Sequence, residues 1–389
     1  MSLKSKSAAA IAAVSLSAML TAAPLFSNTV PVASAAAAQK KTAPIQVALN
    51  GGTYSFEAAP IMENGTVYIP LRDLGDLLGL QAFWDIATKN ISIAYPGTLI
   101  TMPPGGKEAV INGKKVKLAT PVRVIQGRTY VPLRFISESL GIQVQWMAAK
   151  RTVAITHSSP YVKGGGVNTA AWLNPKTGEV FISYPLNVKP QSVGKLNVDI
   201  KEFITGFEAQ PLAGGGLMLR VVDNFGEPHI HNDVYTAYVK NNKILKQAKA
   251  YYFKRFERSI VSYNNHPVLL DGKTLTVLDN DGNVLKTYDL PTLGGKDEEY
   301  TVAAMGDDYL LIRPNDTGLL TLVNLKDNTR VLLYKELLTP EEQEYSEKND
   351  VPYFGDDLKF YEATADGKLV FYYTNPFDGK ERVLEYKRK

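Results

Sequence analysis

His229-Ile230-His231, followed by Asp233, is the one spacing in this chain that resembles a metal site. On a strand, residues i and i+2 face the same side, so two imidazoles can share an ion. No third ligand is evident, and Pro228 points to a loop instead. Asp279-Asn280-Asp281-Gly282-Asn283 reads like the start of a calcium loop. The twelfth position, where a bidentate Glu belongs, is Leu290, so a hairpin turn is the simpler reading. Glu298/Glu299 and Asp356/Asp357 are sequence neighbours, which on a strand point to opposite faces. A glycosidase needs two acids that face one another. There is no Gly-x-Ser-x-Gly elbow and no phosphate loop. These residues assign no catalytic group, no metal and no cofactor.

Binding chemistry is better represented. Lys243, Lys246, Lys249, Lys254, Arg255 and Arg258 interleave with Tyr251, Tyr252, Phe253 and Phe256. Such a segment can meet anionic wall polymers or glycans by charge and stacking. The competing reading is a solvated strand or helix whose aromatics are core. Lys249, Tyr251, Tyr252, Lys254 and Arg255 are the candidate ligand contacts here. Arg72 and Arg134 are two more, read either as anion or glycan contacts or as structural anchors for a helix start. Asp85, beside Trp84, is a possible partner for Arg72, whereas Trp146 is followed by Met147. Trp84 and Trp146 sit in phase with apolar neighbours and read as core.

Both arginines lie in a stretch that the chain writes twice. Val67-Tyr68-Ile69-Pro70-Leu71-Arg72 recurs as Thr129-Tyr130-Val131-Pro132-Leu133-Arg134, an offset of 62 residues. Alternating Ile45–Leu49 reads as a strand, and Asn50-Gly51 as a tight hairpin turn. Tyr54–Phe56 resumes the alternation, Asn64-Gly65 is a second turn, and Thr66–Ile69 is another strand. Pro70 reads as the first residue of a helix. Leu71, Leu74 and Leu78 make its apolar face, and Gly79 its left-handed stop. Ala82, Trp84, Ile91 and Ile93 read as a returning hairpin. The second copy repeats the plan through Asn112-Gly113, Gln126-Gly127, Leu133, Ile136, Leu140, Gly141, Trp146, Val153 and Ile155. Pro60 and Pro121 are only 61 apart, which makes Gly52 the simplest extra residue in the first copy. The expectation is an α+β domain of small antiparallel sheets, each packed on a short helix.

Asn-Gly, Gly127-Arg128-Thr129, Val-Pro-Leu-Arg, Leu-Gly and Trp, in tandem, resemble the copper amine oxidase N-terminal-like domain, or stalk domain. The resemblance covers about 45–156, with copies at 45–95 and 108–156. It implies an accessory module of secreted and cell-surface bacterial proteins, an antiparallel sheet around a helix, without copper or quinone cofactor. Amine oxidase activity is not expected. The oxidase makes its cofactor from a Tyr in an Asn-Tyr motif, and no Asn-Tyr dipeptide occurs here. Only His157, His229, His231 and His266 are present for copper.

The ends and the composition frame this domain. Lys4 and Lys6, an apolar run from Ala8 to Leu25 and Val32-Ala33-Ser34-Ala35-Ala36 follow the order of a secretory signal peptide, expected at 1–35. A tether (36–44) follows. Removing 1–35 lowers the formal charge from +4 to +2, which gives no argument for nucleic acid. With no Cys there are no disulfides, no thiolate metal site and no lipid-carrying residue. No later segment is apolar enough to span a membrane.

Ser158-Ser159-Pro160 and Gly164-Gly165-Gly166 read as a linker, 157–169. Residues 170–389 alternate in short runs separated by turns such as Asp271-Gly272 and Asp366-Gly367, which suits an all-β domain, propeller-like or sandwich. Pro267–Leu290, Asp308–Tyr334 and Asp366–Tyr386 are blade-like. Thr339-Pro340-Glu341-Glu342 is a helix-starting capping box. The chain thus reads as a secreted or wall-associated, non-enzymatic binding or scaffold protein. Its partner would be a wall polymer, surface glycan or protein. The rivals are a glycan-active enzyme with its site in the β domain, and a plain structural spacer.

Overall fold

The computed structural model describes residues 44–352 and 354–388; the expected signal peptide, and nearly all of the expected tether, lie outside them. The N-terminal part is mixed α+β. Its elements are β1 (Gln46–Leu49), β2 (Gly52–Tyr54), β3 (Ile61–Glu63), β4 (Thr66–Pro70), α1 (Leu71–Leu78), β5 (Gln81–Asp85), β6 (Asn90–Tyr95), β7 (Thr98–Met102), β8 (Glu108–Ile111), β9 (Lys114–Lys117), β10 (Arg123–Ile125), β11 (Arg128–Pro132), α2 (Leu133–Leu140), β12 (Gln143–Met147) and β13 (Thr152–Thr156).

The local signals act as expected. Asn50-Gly51, Asn64-Gly65, Asn112-Gly113 and Gln126-Gly127 all turn with both residues at positive φ. Gly79 and Gly141 end α1 and α2 at φ 68, a conformation that costs glycine little. Pro70 and Pro132 stand one place earlier than expected, as N-caps that also close a strand.

The pairing is less local. Each sheet draws on both copies of the repeated stretch. β4 and β11 pair antiparallel, with Tyr68, Ile69 and Pro70 opposite Pro132, Val131 and Tyr130. Residues 62 apart therefore meet around the Ile69–Val131 pair as around a local two-fold axis. β1 joins β13 in parallel, and β5 to β9 form one five-stranded sheet. One shared core holds Ile69, Leu74, Leu78, Val131, Leu133 and Ile136. The expectation of a separate sheet and helix for each copy is corrected accordingly. Gly52 is not the extra residue either. It sits opposite Leu49 as Lys114 sits opposite Ile111, so the insertion falls between Tyr54 and Pro60.

The glycines of the expected linker form a strand. β14 (Val162–Gly166) pairs with β15 (Thr169–Leu173). A Cβ on Gly164 would stand 2.3 Å from the Phe207 carbonyl oxygen, and one on Gly166 2.6 Å from that of Ala209. Close approach of a neighbouring strand, not flexibility, accounts for the glycines. β16 (Glu179–Ser183), β17 (Gln191–Lys195), β18 (Phe203–Pro211), β19 (Leu217–Phe225), β20 (His231–Lys240) and β21 (Lys243–Phe253) complete an eight-stranded sheet, ordered β17-β16-β15-β14-β18-β19-β20-β21. It curls around a core of Leu173, Val180, Phe207, Leu219, Val221 and Tyr235. Its two edges approach without a backbone ladder: the Asn197 backbone N–H donates to Gln247 Oε1 at 2.8 Å, and Asn242 Nδ2 to Gln191 Oε1 at 3.1 Å.

Three antiparallel meanders follow: β22–β25 (Ser262–Tyr263, His266–Leu270, Thr274–Leu278, Val284–Asp289), β26–β29 (Tyr300–Met305, Tyr309–Pro314, Thr321–Asn324, Arg330–Leu332) and β30–β32 (Lys359–Ala363, Lys368–Thr374, Glu381–Lys387). α3 (Leu290–Gly294), α4 (Leu333–Leu337) and α5 (Pro340–Lys348) interrupt them. β27 explains the stacking. Leu310 and Ile312 join the core shared with the first meander, and Tyr309 and Leu311 the core shared with the third. Both faces are buried, hence the nearly unbroken apolar run. Met218 and Tyr238 pack on Leu269 and Leu278, setting the eight-stranded sheet against the first meander. The all-β region thus consists of open, curled sheets, not the closed propeller or sandwich expected.

Candidate functional site

β21 alternates as a strand with one wet face. Lys249, Tyr251 and Phe253 are exposed, while Ala250 and Tyr252 are buried. Cross-strand pairing arranges the wet face in rows. Phe253 lies opposite His231, which lies opposite Phe225; Tyr251 lies opposite Asp233, which lies opposite Asp223. His231 stacks 5.3 Å from Phe225 and lies 5.1 Å from Phe253, and its Nδ1 is 2.7 Å from the Tyr251 hydroxyl. Phe203, at the start of β18, stands 57% exposed with its ring 5.3 Å from His229.

The charges beneath these rings are satisfied. Asp233 is buried and accepts from two lysines, Lys201 Nζ at 2.8 Å and Lys249 Nζ at 2.9 Å. Lys201 Nζ also sits 4.0 Å from the centre of the Phe225 ring. Asp223 accepts the backbone N–H groups of Lys201 and Glu202 at 2.6 and 3.3 Å. Burial opposes charge on Lys249, yet its hydrogen bond to Asp233 prevails and raises its pKa. Burial, then the nearby Asp233 charge, raises the Tyr251 hydroxyl. The two aspartates hold lysines and amides in place and are not aimed at a cleft. What the surface offers is ring faces and ammonium groups, suited to stacking and charge contacts.

Not all the expected contacts belong here. Tyr252 faces the other side of β21, and its hydroxyl donates to the Tyr300 carbonyl at 3.0 Å. β21 ends at Phe253, and Lys254 turns the chain at φ 64, so the alternation stops. Lys254 pairs with Asp350 at 2.8 Å. Arg255 donates to the carbonyls of Phe354 and Asp356 and pairs with Glu257. Tyr252 and Arg255 are therefore internal fasteners, which corrects their reading as ligand contacts. Arg255 belongs to a buried cluster around Arg313. Arg313 donates to Glu257 at 2.7 Å, to Asp356 Oδ1 at 2.8 Å and to the Leu358 carbonyl at 2.7 Å. Burial works against the Glu257 charge, but Arg313 and Arg255 outweigh it and hold the carboxyl below its usual range.

The remaining candidates divide. His229 approaches Glu202 at 3.4 Å while His231 bonds Tyr251, and no group of three His, Cys, Asp or Glu among the described residues is placed to hold a metal. Asp279 turns its carboxylate back onto its own loop, accepting from the N–H groups of Asp281 and Asn283 at 2.8 Å. Arg72 is exposed in a groove of about 500 Å³ with Trp84 and Arg128. Asp85 caps its own turn through the N–H groups of Ala87 and Thr88, so it is not the partner of Arg72. Arg134 makes an exposed pair with Glu138 at 2.8 Å, beside Trp146. Both tryptophans are exposed, Trp84 by 48% and Trp146 by 37%, against the reading as core. They lie on edge strands, where a side chain has a neighbouring strand on one side only. Trp172 is the buried one, and its apolar surroundings in β15 were a readable signal.

Comparison with known proteins reaches part of the chain. Residues 48–155 match the model of the copper amine oxidase N-terminal domain. A protease inhibitor from Brevibacillus choshinensis is 28% identical over 177 residues, 45% of this chain and 53% of that protein. The chain thus spans about half the length of the curated relative it matches. Among solved structures, a protein of unknown function from Bacteroides caccae aligns with 11% identity over 75% of this chain and 90% of that one, at a TM-score of 0.26. YCF48 bound to D1 peptide aligns with 12% identity over 85% and 97%, at 0.25. No helix among the described residues is long and apolar enough to cross a membrane. Residues 48–155 form a domain like the copper amine oxidase N-terminal domain, the non-catalytic portion of that family.

Proposed function

We propose that this chain is an exported, non-enzymatic binding protein of the bacterial cell surface. Its contact surface is the end of the eight-stranded sheet, and its partner is an anionic wall polymer or surface glycan. The N-terminal domain, with its tandem stalk-type motif, serves as the spacer. The observation that carries this reading is the set of rings and ammonium groups at this end of the sheet: Phe203, Tyr251 and Phe253 exposed, Phe225 and His231 half-buried between them, with Lys201 and Lys249 alongside. Rings in rows offer stacking faces for sugars, and the lysines supply sites for acid groups. A glycan-active enzyme finds less support, because Asp223 and Asp233 are occupied by amides and lysines.

Co-sedimentation of the purified protein with isolated cell walls tests the proposal. Tyr251→Ala combined with Phe253→Ala should weaken the affinity about thirtyfold, the loss expected for two stacking rings at ~1 kcal/mol each. Both side chains are exposed, so the fold should persist. Undiminished binding by this variant would remove the assignment, as would binding carried by residues 45–156 alone.

A further inference from the structure

β9 is an edge strand, paired to β8 and to nothing else among the described residues, and all four of its residues are exposed. Leu118 N–H donates to the Lys107 carbonyl at 2.8 Å, which fixes the alternation along this hairpin. Val116 and Lys114 direct their backbone groups toward β8, and Lys115 and Lys117 direct theirs outward. Beside this free edge lies a groove of about 970 Å³, bounded by Val116, Phe135, Val144 and Trp146 with Arg134 at its rim.

The first repeat carries larger side chains at the corresponding place. Tyr54 sits opposite Val47 as Val116 sits opposite Ala109, so the two occupy the same place. Tyr54 and Phe56 pack on the core with ring centres 4.9 Å apart, where the second repeat has only Val116 and Leu118. The corresponding groove beside Arg72 is about half as large, 500 Å³.

We infer that β9 and its groove form a strand-addition site for an extended, acidic polypeptide segment. The outward backbone groups recur every second residue, about 6.6–6.8 Å apart, the repeat of a β-strand and not of a sugar chain. Every second side chain of an added strand would face the groove and Trp146. Lys114, Lys115 and Lys117 make no ion pair with any described residue, and Glu108 alone among the β8 residues carries an opposing charge, opposite Lys117, so the edge keeps an excess of positive charge. Those cations repel a second copy of the same edge and select a strand that carries acids.

Fluorescence anisotropy with the full chain tests this, using a labelled eight-residue peptide of alternating Glu and Val. A peptide of alternating Lys and Val is the charge control. Val116→Tyr copies the first repeat and should weaken binding about tenfold or more by filling the groove. Lys115→Pro removes an outward N–H without touching the β8 ladder. It should bind about fivefold more weakly than Lys115→Ala, the equivalent of one hydrogen bond of ~1 kcal/mol. Circular dichroism and thermal melting establish that each variant is folded. Wild-type affinity in Val116→Tyr overturns the proposal. So does equal affinity in folded Lys115→Pro and Lys115→Ala, or equal binding of the Lys-Val peptide.

Discussion

Trp172 couples the N-terminal domain to the eight-stranded sheet, and truncating it should uncouple them. Its side chain is fully buried in a cluster with Ala94 and Ala170. Its Nε1–H donates to the Gly79 carbonyl at 2.9 Å, and Lys163 Nζ donates to the next carbonyl, Leu80, at 2.8 Å. Both carbonyls follow the C-terminus of α1, where unpaired acceptors collect. Burying a Trp removes about 150–250 Å² from water, roughly 4–6 kcal/mol at ~25 cal/mol/Å². With partial relaxation of the site, Trp172→Ala should cost about 3–5 kcal/mol. Trp172→Phe keeps much of the ring contact and deletes the donor, which should cost about 1–3 kcal/mol, including the unpaired Gly79 carbonyl. Urea unfolding, followed by limited proteolysis across Ser158–Tyr161, reads both effects. The wild type should unfold in one transition and resist cleavage there. Trp172→Ala should show a separate, earlier transition and be cut. If both variants lose less than ~1 kcal/mol and remain uncut, the two parts are not joined through this side chain.

Three further outcomes follow from the packing. Asp356→Ala should destabilise the meanders by about 3–5 kcal/mol, because Arg313 is left buried beside a missing partner; chemical denaturation measures it. Glu257 has a depressed pKa when folded, so its contribution is complete above the unfolded value of about 4.3 and disappears as pH falls through the folded value. Below about pH 4, wild-type stability should therefore fall more steeply than that of Glu257→Gln in parallel acid titrations. Thr339 accepts from Glu342 N–H while the Glu342 side chain accepts from Thr339 N–H, so Thr339→Ala should cost about 1 kcal/mol in thermal melting.

The candidate surface was half legible. Lys249, Tyr251 and Phe253 share a face because strand alternation alone puts them there. The same rule excludes Tyr252 once the strand is recognised. Arg255 was misread because the strand ends before it, and nothing within the segment announces Arg313 or Asp356. Phe203, Phe225 and His231 join the surface only through register between strands up to 50 residues apart. Gly164–Gly166 shows the converse. Three glycines look flexible in sequence, but here they admit the backbone of β18.

The sequence by itself determined the short-range features. Its Asn-Gly turns, Pro-started and Gly-stopped helices, and capping box depend on torsion preferences and hydrogen bonds spanning a few residues. Tertiary structure decided how the two Pro-Leu-Arg copies meet, why sheets draw on both, and which tryptophan is buried. It also left two grooves of unequal size, about 970 and 500 Å³, and put Tyr54 and Val116 at equivalent places, which only a shared register can do. Those choices belong to contacts between distant residues, whose energies no local pattern contains.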